Sequence, residues 1–107
     1  MFKVVILYST APDPETASKI ADGLVAGELA ACVNLFPGMI SVYRWDGNIE
    51  KSGETAMIIK TTGDCAGKAR DFVLENHPYD TPAVIALDTD PQNSAGQFCD
   101  WVAASCK

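Results

Sequence analysis

Ala31-Cys32-Val33-Asn34-Leu35-Phe36-Pro37-Gly38-Met39-Ile40-Ser41-Val42-Tyr43-Arg44-Trp45 turns at Asp46-Gly47 and returns as Asn48 to Thr62. Asp-Gly suits the two turn positions of a tight hairpin, both of which want positive φ. Pro37-Gly38 inside the first arm marks a bulge or bend, at a position where a ladder donor can be spared. Each arm is about 15 residues, and at about 3.3 Å per residue it spans roughly 50 Å. A compact domain of this length has a radius of gyration of about 13 Å, so straight arms overshoot the body. The overshoot carries Met39, Tyr43 and Trp45 on one face and Ile40 and Val42 on the other. Aromatic surface and open strand edges left together in water are avoided by natural sheets. Another subunit's sheet is the simplest cover; the alternative is a hairpin bent back on its own domain at Pro37-Gly38.

Upstream, Lys3 to Ser9 is a strand whose run Val4-Val5-Ile6-Leu7-Tyr8 suggests burial on both faces, as in a sheet centre. After the loop Thr10-Ala11-Pro12, Asp13 is a good N-cap and Pro14 sits at the first helical position. Ala17, Ile20, Ala21, Leu24 and Val25 form one helical face, and Gly27 is placed to end the helix. Downstream, a second helix spans about Cys65 to Asn76, with Cys65, Ala69, Phe72 and Val73 inward. His77-Pro78-Tyr79-Asp80-Thr81-Pro82 is held extended by its prolines, and Val84 to Leu87 is a fourth strand. Ser94 with Gln97 resembles a capping box opening a last helix with Phe98, Trp101 and Val102 on one side. The order β-α-β-β-α-β plus an extra helix is the split βαβ pattern of an α+β, ferredoxin-like fold.

The 107 residues suit one domain, residues 1–107. The net charge of −6 and scattered Lys and Arg argue against nucleic acid as a partner. No stretch approaches the roughly 20 apolar residues of a membrane span, and the N-terminal apolar run is too short for a signal h-region. A cytoplasmic protein is expected. Cys32, Cys65, Cys99 and Cys106 lack any C-x-x-C spacing and are expected to be reduced thiols used as small apolar side chains.

With those residues in view the chain resembles the CutA family, the divalent-cation tolerance proteins. The resemblance rests on Ser9-Thr10-Ala11-Pro12-Asp13, Leu29-Ala30-Ala31-Cys32-Val33-Asn34 with Pro37-Gly38, and Ser41-Val42-Tyr43-Arg44-Trp45-Asp46-Gly47-Asn48-Ile49. Ile58-Ile59-Lys60-Thr61-Thr62 and His77-Pro78-Tyr79 with Pro82 complete it. It implies a homotrimer in which long hairpins pair between subunits, and a link to copper and other divalent metals. Family members have also been tied to protein anchoring and to roles like those of the trimeric PII signal proteins. Where metal-binding relatives can carry a cysteine, this chain has Ser9, and a hydroxyl is a poor ligand for soft copper.

His77, the lone histidine, could offer imidazole to copper or another divalent metal, with Asp80 as a carboxylate ligand and other ligands from neighbouring subunits. The competing reading packs its ring on Tyr79 or caps the last helical carbonyls. Cys32 is a further thiol candidate against a buried, inert one. Tyr43, Trp45, Lys60 and Tyr79 are candidates for a cleft or trimer interface; aromatic walls and one ammonium would suit a small anion. Against that, Lys60 could pair with an acid such as Glu54. No catalytic centre is recognisable: there is no Gly-x-Ser-x-Gly, and no orienting group for a Cys–His pair. A metal-tolerance trimer leads, and a small-molecule-sensing or scaffolding trimer using intersubunit clefts is the alternative.

Overall fold

The computed structural model describes residues 3–107; Met1 and Phe2, part of the single domain expected over 1–107, lie outside the described residues. The elements are β1 (Val4–Ala11), α1 (Pro14–Ala26), β2 (Cys32–Trp45), β3 (Asn48–Thr62), α2 (Gly63–Asn76), β4 (Val84–Leu87) and α3 (Gly96–Ser105). The sheet order is β2-β3-β1-β4, and every pairing is antiparallel. This is the ferredoxin-like α+β arrangement with one added helix. β1 is paired on both sides, which explains its unbroken apolar run.

Local chemistry accounts for most element ends. The Asp13 carboxylate accepts from the Thr16 N–H at 2.7 Å, capping α1. That bond stabilises the ionised form and holds the Asp13 pKa below the usual carboxylate range. α2 starts two residues earlier than expected, because Thr62 caps it, its Oγ1 accepting from the Cys65 N–H at 3.3 Å. β1 runs on through Thr10 and Ala11, where the long β3 still offers Ala56 and Thr55 as partners. Gly27 does end α1, but with φ −82°; the left-handed residue is Glu28, φ 58°. The capping box at Ser94 does not form. Ala95 precedes α3, and the Ser94 hydroxyl donates to the Asp90 carbonyl at 2.5 Å instead.

The sheet has two unlike faces. α1 and α2 cover one, burying Leu7, Ile20, Leu24, Met57, Ile59, Ala69 and Val73 together. Val25, assigned to that face from its spacing, is instead half exposed, on the edge of the apolar stripe. α3 covers one end of the other face, where Val102 packs with Val4 and Ala31, flanked by Ile6, Cys99 and Cys106. Phe98 and Trp101 do not join Val102 in the core; they stack on each other at 5.6 Å and stay exposed. The rest of this second face is open, with Phe36, Ile85 and Leu87 also exposed.

β2 and β3 leave the body as the expected ribbon, and the long axis of the molecule is 45 Å. Asp46 (φ 53°) and Gly47 (φ 82°) form its turn, and Gly38 takes φ 80° within a bulge. From Phe36 to Met39 β2 advances three residues while β3 advances two, Ala56 to Glu54. The extra residue keeps Phe36, Met39, Tyr43 and Trp45 on the open face. Ile40, Val42, Trp45 and Ile49 are between 61% and 69% exposed, so the hairpin is not folded back on its own domain.

Ser9 faces the helices, fully buried, and its Oγ has no hydrogen-bond partner. A buried hydroxyl without a partner costs about 1–3 kcal/mol. Ser9→Ala is therefore expected to raise the thermal midpoint by a few degrees, about 4–8 °C per kcal/mol for a domain of this size. A lower midpoint in a calorimetric scan would show that the hydroxyl has a partner.

Candidate functional site

A concavity lies on the open face, where the hairpin leaves the body. Its volume is about 430 Å³, and its walls are Thr10, Tyr43, Trp45, Glu54, Tyr79, Asp80, Thr81 and Ala83. Tyr43 and Trp45 reach it because the bulge rephases β2; Thr10 ends β1, and Glu54 stands opposite Met39 on β3. The remaining wall is the segment joining α2 to β4.

His77 pins that segment. Its Nε2–H donates to the Thr10 carbonyl at 2.7 Å, while Nδ1 accepts from the Tyr79 N–H at 3.1 Å. That pattern defines one neutral tautomer. The ring also packs on Tyr79, centroids 4.7 Å apart. Asn76, not His77, bonds the end of α2, its Nδ2 donating to the Phe72 carbonyl at 2.8 Å. Tyr79 in turn donates its hydroxyl to Glu54 Oε2 at 3.1 Å. Burial, then the bond to the Glu54 carboxylate and its charge, push the Tyr79 phenol up to about 12, so it remains a donor. Tyr43 Oη and Ser52 Oγ share a hydrogen bond of 2.8 Å.

The structure thus gathers Tyr43, Trp45, Tyr79 and Asp80 and leaves Lys60 out. Lys60 has the right parity on β3 but lies six residues from Glu54, about 20 Å along the strand. Its ammonium sits 5.4 Å from the centroid of the Phe98 ring, so it neither lines the cleft nor pairs with Glu54. Within one chain the cleft is thus walled without Lys60.

The metal set fares similarly. Both ring nitrogens of His77 are engaged, so a metal would have to break one of two hydrogen bonds to reach a lone pair. Cys32 is level with Lys60 and Ile6, four residues along β1 from Thr10, or about 13 Å from the His77 end. Ser9 points into the helix-side core, away from the cleft. Among the described residues no three His, Cys, Asp or Glu side chains come together to hold a metal ion. His77, Asp80 and Cys32 therefore do not fit a copper site within one chain. All four cysteines are free thiols, Cys65 buried and the others partly so. Desolvation raises the Cys106 pKa and keeps it protonated.

Glu54, Thr10, Thr81 and Ala83 were not singled out as cleft walls from the sequence. Counting β3 parity from the hairpin turn places Glu54 on the Trp45 face, but its approach to Tyr79, 25 residues away, has no sequence signal.

Comparison with known proteins matches residues 5–105 to the family described as CutA1 divalent ion tolerance protein. The divalent-cation tolerance protein CutA of Thermus thermophilus is 38% identical over 102 residues, 95% of each chain. The chloroplastic protein CutA of Arabidopsis thaliana is 36% identical over 103 residues. The chain covers 56% and 57% of the length of the Arabidopsis and rice relatives, so it spans little more than half of each. Among solved structures, Xylella fastidiosa CutA superposes with a TM-score of 0.94 at 33% identity, covering 98% of this chain and 99% of the other. Ehrlichia chaffeensis CutA1 gives 0.91 at 39% identity, covering 98% and 96%. Matched from strand β1 to helix α3 and superposable along nearly its whole length, the chain belongs to the CutA1 divalent ion tolerance family.

Proposed function

We propose that this chain acts as a cytoplasmic, non-enzymatic homotrimer in tolerance of divalent cations, copper among them, without a copper site built on His77. One observation carries the assembly: the ribbon exposes Ile40, Val42, Trp45 and Ile49 beside an open sheet face bearing Phe36, Ile85 and Leu87. The number of copies follows from the resemblance to CutA proteins. The hydrogen bonds at both nitrogens of His77 support a structural role for the imidazole, with metal response arising elsewhere in the assembly. A second reading, a small-molecule-sensing trimer, is supported by the cleft beside the ribbon.

Light scattering and copper calorimetry on one sample test the first reading. The mass should be three times the 11.4 kDa of the chain at micromolar concentration. His77→Ala should bind copper as the parent does, yet unfold more easily by about 1–3 kcal/mol, because the buried Thr10 carbonyl loses its donor. A monomeric mass would sink the assembly. Loss of copper binding in the variant would restore His77 as a ligand.

A further inference from the structure

We infer that His77 is a pH-sensitive clamp: as the imidazole gains its second proton, the ring keeps hold of β1 and lets go of the Tyr79 amide, loosening the segment that joins α2 to β4. The inference rests on the structural role proposed above for His77 and adds a switch to it. Both bonds concerned lie within one chain, so they do not depend on which surface a neighbouring subunit covers.

Protonation acts differently on the two ring nitrogens. Nε2–H donates to the Thr10 carbonyl at 2.7 Å, and an imidazolium keeps that donor. Nδ1 accepts from the Tyr79 N–H at 3.1 Å, and an imidazolium carries a proton there as well. Two N–H donors then face each other, and an attractive contact becomes a repulsive one. The bond spans two residues across Pro78, whose φ is fixed by its ring, so the turn has little freedom to absorb the change. It is exposed, and a freed Tyr79 N–H finds water as its acceptor. Tyr79 carries the change outward, because its ring packs on the imidazole at 4.7 Å and its hydroxyl donates to Glu54 of β3 at 3.1 Å.

The surrounding charges let the ring take up the proton. His77 is the C-cap of α2, at the negative end of the helix dipole, and the last turn of α2 carries no basic residue. Glu75 of α2 and Asp80 of the segment flank it in the chain, while the charges of Glu54 from β3 and Asp13 from the start of α1 are felt at Tyr79. Asp13 and Glu54 are already committed to the Thr16 N–H and the Tyr79 hydroxyl, and β1 presents only the uncharged Thr10 carbonyl. The field therefore favours an imidazolium, whereas the contact at Nδ1 opposes it, so charging and opening are linked. The response is specific to this ring. The chain has no second histidine, the Tyr79 phenol is pushed up to about 12, and burial raises the Cys106 thiol.

NMR on the intact, metal-free protein tests the inference at about pH 7.5 and about pH 5, on either side of the ordinary imidazole value near 6.5. Ring nitrogen shifts report the charge of His77. Hydrogen exchange, taken relative to the intrinsic rate at each pH, reports the Tyr79 N–H. The ring should be neutral with its proton on Nε2 at the higher pH and charged at the lower, with Tyr79 protection falling at least about fivefold. His77→Gln keeps a side-chain donor and acceptor but cannot titrate, so its Tyr79 protection should change less than about twofold. A charged ring with Tyr79 protection unchanged overturns the switch while leaving the structural role of His77 standing. A ring still neutral at the lower pH overturns it as well. An equal fall in His77→Gln would assign the pH response to another group, with the same consequence.

Discussion

Trp45→Ala combined with Ile40→Asp is expected to turn the assembled protein into folded 11.4 kDa monomers at micromolar concentration. The two residues lie on opposite faces of the ribbon, since Trp45 pairs with Asn48 and Ile40 with Gly53. They are 66% and 69% exposed in one chain, so neither contributes much to its own fold. A tryptophan anchor in an interface typically contributes about 2–4 kcal/mol. Its loss alone should weaken association roughly thirtyfold or more. An aspartate at position 40 adds a charge that the interface would have to bury without a partner. Circular dichroism should be preserved, because the body keeps both its helical layer and the paired core of the sheet. The thermal midpoint should fall and lose its dependence on concentration. Unchanged mass in the double variant would mean that the ribbon projects into solvent in the working protein, and the assembly would need another surface.

Much of this architecture was legible because its causes are local. Asp46-Gly47 specifies its turn, Asp13-Pro14 specifies a helix start, and alternation about the turn specifies the faces of the ribbon. The bulge at Pro37-Gly38 was legible for the same reason. The expected capping box shows the limit of that kind of reading. Asp90 accepts from the Gln92 N–H and the Asn93 side chain, and its carbonyl then takes the Ser94 hydroxyl that α3 would have used. Two local hydrogen-bonding solutions competed, and spacing alone did not rank them.

The site was legible only in part, because a strand's period of two fixes a face and not a distance. Lys60 and Glu54 share a face of β3, yet only Glu54 lies where the hairpin leaves the body. His77 presented the same difficulty in another form. Its chemistry allowed a metal ligand or a structural clamp, and the deciding acceptor, the Thr10 carbonyl, is 67 residues away in the chain. Cleft walls drawn from β1, the ribbon and the 77–83 segment are a product of tertiary packing.

Leu24→Ala should cost about 3–5 kcal/mol, a large share of the roughly 5–15 kcal/mol that holds a domain together. Leu24 is fully buried on the inward face of α1, packed in one cluster with Ile20, Leu7, Met57 and Ile59. Its carbonyl also accepts from the Leu29 and Ala30 N–H groups at 2.9 and 3.3 Å, so the end of α1 is locked in place. The backbone therefore cannot readily collapse into the space left by the missing methyl groups. The expected fall in thermal midpoint is on the order of 15–30 °C, and it should be alike at every protein concentration. Ile85→Ser makes the informative contrast. Ile85 is 56% exposed on the open sheet face, so its loss should barely affect one chain and should act through assembly. The cost of Ile85→Ser should therefore appear as a lowered mass and a midpoint that depends more steeply on dilution. Leu24→Ala should leave the mass of the remaining folded protein unchanged, because Leu24 sits in the cluster on the helical side of the sheet. A Leu24→Ala loss below about 1 kcal/mol would mean that the helical layer repacks freely, contrary to the close packing of protein interiors. Equal concentration dependence in the two variants would mean that folding and assembly are one event, with no stable single chain beneath the proposed trimer.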